Sequence, residues 1–596
     1  DAINNKSGRG RALSGAVGIT FERPEGVRRA IEGLELLMDD AFHPDGFCTE
    51  SPSYSDMHLN VMRPIPEVLR GYSDPEGYVP EEGESLKGFD PFQAFDRYRL
   101  ALESMVRMLD PRLKYPVIGD THAGEGLQTI HAEILADRYG PRYAGLLERV
   151  QDAPLAEAGS EYALWNRDPD LKVQEEADLP LRTEWFPGWH VAVLRGGRDL
   201  RGHTAFYLNG YAHGGHRHRD TLSAIYIAHG QEMASDRGYI WDDPRNAWTG
   251  STLAHNLVTV DGDSQNGEGC HSTLELFGQG PGVEAVQASA NAYSQCDRYQ
   301  RTCVLVEIPG GGSYAIDLFR VRGGNLHQYG FQCNGKLVGV EGAALESAED
   351  EIEWLNHIRA GLTGGPAAVT WAHAGVHMDL RVLGPIDRLL AADAPGWRSS
   401  KGDQLHAPAI QQVLAERSGD GDLESRFAAV VSPYPEGSGA VKGARLLLDD
   451  AQTGAMAVVV EREGRTDYLL SSPEGIPCDA GPVTMAGRLG FVSVDAAGQA
   501  TRAYLLGGTR LTCGDLNLNV SEAETRLKVR STEGRTFHMA EDVPSDVEGR
   551  CVLAGETGFE IESATPSSIT VRDYPAIECE VVRILNGAEF ENGEGA

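Results

Sequence analysis

The spacing of apolar residues changes once along this 596-residue chain, between about residue 165 and residue 183, and that change limits the folds open to it. Before it, segments 25–41 (EGVRRAIEGLELLMDDA), 91–110 (PFQAFDRYRLALESMVRMLD) and 127–150 (LQTIHAEILADRYGPRYAGLLERV) repeat apolar residues three and four apart. That is the period of a helix with one buried face. Gly- and Pro-rich stretches such as RGYSDPEGYVPEEG (70–83) separate these segments. After the change, short β-branched and aromatic runs alternate with Gly, Pro and Asn turns: HVAVLRG, TAFYLNG, LSAIYIAHG, NLVTVDG and CVLVEIPGGGSYAIDLFRV. They predict a large antiparallel β-sandwich. Strand-like runs continue through AMAVVVERE (455–463), DYLLSS (467–472) and TRAYLLGG (501–508), and a polar, strand-rich stretch from 513 predicts a small final β domain. The expected class is α+β and multidomain, with a helical domain over 1–165, a linker over 166–182, a sandwich over 183–512 and a C-terminal β domain over 513–596.

A chain of this length is expected to bury more than one core. Its 41% hydrophobic and 24% charged residues are ordinary for a globular protein. No apolar run approaches the roughly 18–20 residues that span a bilayer. No signal-peptide pattern is visible from Asp1 onward, and a mature or truncated start would look the same. The 53 Lys and Arg against 88 Asp and Glu give a formal charge of −35, which disfavours nucleic acid and anionic membranes as partners. Nine cysteines, an odd number without a CxxC pair, indicate neither a zinc knuckle nor a disulfide framework. They leave the compartment open; a secreted or periplasmic bacterial location is the expectation.

Chemistry-bearing residues concentrate between Tyr207 and Asn256. His218, Asp236 and His255 fall there between apolar runs, beside His216 and Asp220. In a strand, His216, His218 and Asp220 would share one face. Imidazole with carboxylate suits Zn and similar divalent ions, and an uncommitted His moves protons at neutral pH. An HxHxD string also arises by chance. Metallo-β-lactamase-type hydrolases use a similar string that runs straight into another His, whereas Asp220 is followed by Thr221. Arg195, Arg198, Arg201, Arg217 and Arg219 fall within 25 residues, which suggests a local anionic-substrate cleft on an acidic protein. A solvated basic face is the plainer alternative.

Five stretches in order resemble the heparinase II/III-like superfamily of polysaccharide lyases. They are DGFCTESPSYSDMHLNVM (45–62), VLRGG (193–197), AFYLNGYAHGGHRHRDTLSAIYIAHGQEMASDRGY (205–239), LAHNLVTVDG (253–262) and YAIDLFRVRGGNLHQYGFQC (314–333). The resemblance covers roughly the first 330 residues. It implies that the N-terminal helices form an α/α toroid, here incomplete with about six segments. It also implies β-elimination from a polysaccharide containing uronic acid.

That reaction sets three tasks: neutralise the uronate carboxylate, take the C5 proton, and protonate the 4-O leaving group. The resemblance assigns the central acid/base to Tyr54 of ESPSY (50–54), with Glu50 lining the cleft, and the second catalytic role to His216. It assigns the metal ligands to His218, Asp236 and His255, holding one mainly structural divalent ion; Zn is expected, with Mn and Ca as alternatives. The neutraliser falls in NNKSGRGR (4–11), where Asn5 is the choice and Asn4 its competitor, with helix capping a nearly equal reading. Arg195, Arg217 and Trp248 are expected to touch substrate, and His327 of GGNLHQYG is expected to be structural. The implied partner is an acidic polysaccharide, glycosaminoglycan ahead of alginate; the oligomeric state is open, a homodimer included. Two rivals stay in play: a metal-dependent carbohydrate hydrolase, and a non-catalytic polysaccharide-binding protein on the same scaffold.

Overall fold

The computed structural model describes residues 7–592, apart from 176, 212–214, 268, 400–404 and 438. The chain divides into two units, residues 1–181 with 213–217, and residues 182–212 with 218–596. Asn4 and Asn5 lie outside the described residues.

The first unit is helical. Four of its helices, Pro24–Ala41, Pro52–Met62, Pro64–Leu69 and Pro91–Ala94, start on proline, whose fixed φ and missing N–H suit a first helical turn. Pro24–Ala41 buries Val27, Ala30, Leu34, Leu37 and Met38, a stripe at helical spacing. The two longer segments read from the sequence are broken in the structure. Phe95, with φ −111° and ψ 86°, interrupts Pro91–Ala94 before Asp96–Arg107. Gly140 at φ +113° separates Thr129–Arg138 from the turn that leads into Ala144–Gln151. A helix over Ser7–Thr20 has no strong periodic signature, because it carries four glycines. Two of them, Gly15 and Gly18, let it press onto Pro24–Ala41: a Cβ on Gly18 would meet the Val27 nitrogen at 2.8 Å. Close backbone packing overrides the low helix propensity of glycine here.

The second unit is antiparallel β throughout its named strands. One sheet runs from Glu184–Phe186 through Val191–Gly196, Thr204–Asn209, Ser223–Ala228 and Gln231–Ala234. It continues by way of Leu326–Cys333 to Ile410–Ser418 and Arg388–Ala394. A second sheet contains Ser272–Gly280, Val283–Ala290, Arg298–Glu307, Ser313–Arg322, Glu424–Pro435 and Val376–Val382. Strand Asn356–His373 belongs to both, pairing with Arg388–Ala394 by its first half and with Val376–Val382 by its second. Between the halves lie Gly364, Gly365 and Pro366, residues that tolerate a switch of sheets. One continuous core, including Phe206, Tyr226, Val258, Phe319, Phe331 and Phe427, fills this region.

The 314–333 string works as internal bracing. Asp317 takes a two-pronged ion pair from the Arg301 guanidinium, at 2.9 and 2.5 Å, and accepts the Tyr329 hydroxyl at 2.6 Å. His327 is fully buried, with Ser425 Oγ at 2.8 Å from one ring nitrogen and the Gly323 carbonyl at 2.7 Å from the other. Both nitrogens are committed.

Beyond the sandwich, an eight-stranded sheet runs from Val441–Asp449 to Leu516–Asn519 and takes a last strand from Gly587–Glu591. Between those strands the chain closes a six-stranded barrel, Glu524 to Leu585, around Phe537, Ile561, Ile569 and Val582. The last eighty residues are therefore shared between that sheet and the barrel. All nine cysteines are free thiols, five of them buried. Among the described residues no helix is long and apolar enough to cross a membrane.

Candidate active site and metal-ligand cluster

In the first unit, Ser51 caps the helix Pro52–Met62 by accepting the Tyr54 N–H, and its hydroxyl donates to the Asp120 carbonyl at 3.0 Å. Ser53 adds a second tie, its Oγ accepting the His122 N–H at 3.0 Å. A third sits one turn further on, where Asp56 accepts from Tyr115 and Gln128. The stretch 115–128 thus holds the first two turns of this helix and leaves Tyr54 half-buried on it.

His216 lies against that phenol. The two rings stack with centroids 3.9 Å apart and planes 26° from parallel. The His216 Nδ1 is 2.6 Å from the Asp120 carboxylate, and the His216 carbonyl accepts the Asp120 N–H at 2.8 Å. The backbone here is unusual: His216 has φ +59°, and Gly119, at φ +56°, approaches so closely that a Cβ would meet the His216 carbonyl oxygen at 2.5 Å. Only glycine fits there. The Asp120 hydrogen bond raises the His216 pKa against the opposing effect of burial, with Glu50 adding to the rise. Glu50 itself is held below its usual carboxylate range, chiefly by its hydrogen bond to His58. A carboxylate on Nδ1 fixes the imidazole and leaves Nε2 to exchange protons, the division of labour in Asp–His dyads.

Asp120 is the residue that sequence reasoning missed. Its signal was the short polar string GDTHAGEG (119–126), bounded by glycines and following a buried run.

In the second unit, His218, Asp236 and His255 come together with one ligand atom each, all within 4.8 Å of one another. They are 7%, 2% and 1% exposed. His255 Nδ1 is 2.7 Å from the Ser251 carbonyl, so this nitrogen carries the proton and Nε2 presents its lone pair inward. That Nε2 makes no hydrogen bond and sits 3.3 Å from Asp236 and 3.8 Å from Asp220. Burial pushes the His255 imidazole down to about 4 and the Asp236 carboxyl up to about 6. Asp220, also buried and raised by burial, accepts the Asn209 amide at 2.8 Å. Two imidazoles and a carboxylate, with the His255 Nε2 lone pair facing inward, fit a divalent ion.

Three expectations are corrected. His216, His218 and Asp220 do not lie on a strand: the segment between Thr204–Asn209 and Ser223–Ala228 is irregular, and His216 falls in the first unit while His218 and Asp220 fall in the second. Trp248 is not a substrate contact. It is fully buried among Ala254, Leu355, Ile358 and Leu390, with its indole N–H donated to the Pro395 carbonyl. Arg195 is likewise inside, 6% exposed, with Nε donating to the Arg182 carbonyl.

The arginines do not form one cluster. Arg198 and Arg201 occupy the connection before the strand Thr204–Asn209, whereas Arg219 follows its other end. Six residues of strand span about 20 Å. Arg217, in the first unit beside His216, is partly exposed. Glu50 is also partly exposed, near His216 and His58.

Residues 179–314 match the family model "Heparinase II/III-like, C-terminal". Among solved structures, a heparinase III gene product with methylated lysines superposes with a TM-score of 0.57 at 15% identity, over 78% of this chain and 64% of its own. The heparan sulfate lyase HepC from Pedobacter heparinus gives a TM-score of 0.55 at 14% identity, over 78% and 65%. The chain thus spans less than two thirds of the length of these relatives, and at such identity the likeness is one of fold. No curated protein sequence matched the chain. The matched segment contains His218, Asp236, His255 and the sandwich strands around them, so the likeness to the heparinase II/III-like C-terminal family is carried by this part of the chain.

Proposed function

We propose that this protein is a polysaccharide lyase that cleaves a uronic-acid-containing chain by β-elimination, on a scaffold of α/α-toroid helices, β-sandwich and small C-terminal β domain. The observation that carries the reading is the Tyr54 phenol stacked at 3.9 Å on an imidazole that Asp120 orients. Two proton-transfer groups with the third holding one of them form a minimal acid–base set for this reaction. One group removes the C5 proton as the C4–O bond breaks, the C4=C5 double bond forms, and the departing oxygen receives a proton. Tyr54 is the central acid/base and His216 the second group; Asn5 is the proposed carboxylate neutraliser, with Asn4 beside it. Glu50 and Arg217 are the proposed substrate contacts of this unit.

His218, Asp236 and His255 would hold the divalent ion, with Zn favoured by two imidazoles and one carboxylate. When bound, it supplies fixed positive charge that ties together loops 218–222, 235–238 and 251–257. The burial of all three ligands favours this structural role over activation of water for hydrolysis.

A glycosaminoglycan is the proposed substrate, with alginate second; heparan sulfate, from the name of the Pedobacter heparinus relative, heads the test. The protein is incubated with heparan sulfate, heparin, hyaluronan, chondroitin sulfate and alginate, and ultraviolet absorbance of the products is followed. A lyase gives 4,5-unsaturated uronate. Cleavage without that absorbance would mean hydrolysis, and binding without cleavage would mean a non-catalytic module.

A further inference from the structure

A second group of metal-type ligands sits in the first unit, and of its members only Glu50 has a role above, as a proposed substrate contact. After the helix Pro24–Ala41 the chain doubles back: His43 N–H bonds the Phe47 carbonyl, Phe42 pairs with Cys48, and Thr49 N–H returns to the Ala41 carbonyl. Gly46 makes this turn at φ +86°, where a Cβ would strike the Leu100 carbonyl oxygen at 2.3 Å. The turn delivers Cys48 and Glu50 to the start of the helix Pro52–Met62, and His58 comes back to them from that helix's second turn. Cys48 Sγ, a Glu50 carboxylate oxygen and a ring nitrogen of His58 all lie within 4.8 Å of one another.

Several features fit a cation better than a plain polar cluster. The His58 Nε2 is 3.4 Å from Glu50, while its Nδ1 is buried and makes no hydrogen bond. Cys48 and His58 are 2% and 5% exposed, with the Phe42 ring standing edge-on to the imidazole at 6.1 Å. Burial, with the Glu50 charge adding to it, pushes the Cys48 thiol up to about 12, yet the backbone N–H groups of Glu50 and Ser51 point hydrogen bonds at the sulfur. Those donors suit a thiolate, the form a metal ion would draw out by displacing the proton. A sulfur, a nitrogen and a carboxylate oxygen together select a borderline-soft divalent ion over Mg or Ca.

We propose that Cys48, Glu50 and His58 form a second cation site, for a Zn-type ion, that pins the N-terminal end of the helix carrying Tyr54. Glu50 stands four residues before Tyr54, so the ion would act as a positioning element. The inference does not depend on whether the chain cleaves polysaccharide.

The test uses the full chain, stripped of metal and titrated with Co(II), which reports a sulfur ligand through a thiolate-to-cobalt charge-transfer band. The sandwich cluster contains no sulfur and cannot give this band. The expected result is two ions per chain in the parent and His58→Gln binding cobalt at least tenfold more weakly at the sulfur site. Cys48→Ser should lose the band and one ion, and His255→Ala should keep the band and lose the other ion. Circular dichroism of each variant establishes that it is folded. If Cys48→Ser fails to fold, the parent and His255→Ala spectra still decide. A parent without the band, or a band unchanged in Cys48→Ser or His58→Gln, overturns the proposal and leaves the lyase reading untouched.

Discussion

The Tyr54–His216–Asp120 group and the His218–Asp236–His255 group draw on overlapping residue types, yet they sit in opposite environments. The first is half-open: Tyr54, His216 and Asp120 keep part of their surface in water, and the Asp120 contact raises the imidazole's proton affinity. The second is closed, with every ligand nearly inaccessible and His255 driven down by burial. Exposure decides what a His can do. A reachable imidazole with an oriented ring exchanges protons with a substrate, while a buried neutral one is suited to hold an ion. Two histidines separated by one residue, His216 and His218, thereby stand in environments suited to different work.

The sharpest way to break this contrast is Tyr54→Phe. Loss of the phenolic O–H should lower turnover by about 10³-fold, within the usual range for a general acid–base group, with Tm unchanged. Retained turnover would remove Tyr54 from the chemistry. Next in size is Trp248→Ala. A fully buried indole truncated to methyl should cost about 3–5 kcal/mol of stability in denaturant unfolding, with KM unaltered in the molecules that remain folded. A KM effect without destabilisation would return Trp248 to the substrate surface.

Asp120→Asn should lower kcat by about 10²-fold and leave Tm within a degree or two, because it disturbs the imidazole's orientation and little else. An unaffected pH profile and rate would show that the dyad is incidental. The smallest effect is expected for Asp220→Asn, which touches the closed cluster only from its flank. It should weaken metal binding by about tenfold in a chelator competition while sparing kcat at saturating metal. A loss of turnover at full metal occupancy would blur the division between the two groups.

Much of the architecture could be read from hydrophobic period. The stripe Val27, Ala30, Leu34, Leu37 and Met38 announced its helix, and the β-branched runs after residue 183 announced strands. The helix Ser7–Thr20 fell inside the helical region but received no segment of its own, because its glycines lower local propensity; the value of Gly15 and Gly18, close approach to Pro24–Ala41, appears only once both helices exist. Trp248 and Arg195 were misread for a related reason. Aromatic and cationic side chains near a site-like string suit a sugar surface, yet both are spent on internal backbone carbonyls. Proximity in sequence also misled for Arg198 and Arg201, which one intervening strand separates from the loop holding His218.

By itself the sequence determined where helices give way to strands, and which residue types were available for proton transfer and for metal ligation. Local periodicity and side-chain chemistry are properties of short segments, so a linear reading reaches them. Only the tertiary structure decided that Asp120, 96 residues away, would orient His216, and that His218, Asp236 and His255 would be buried together with Asp220 at their edge. Those choices depend on long-range packing and on desolvation, and neither is a property of any short stretch of chain.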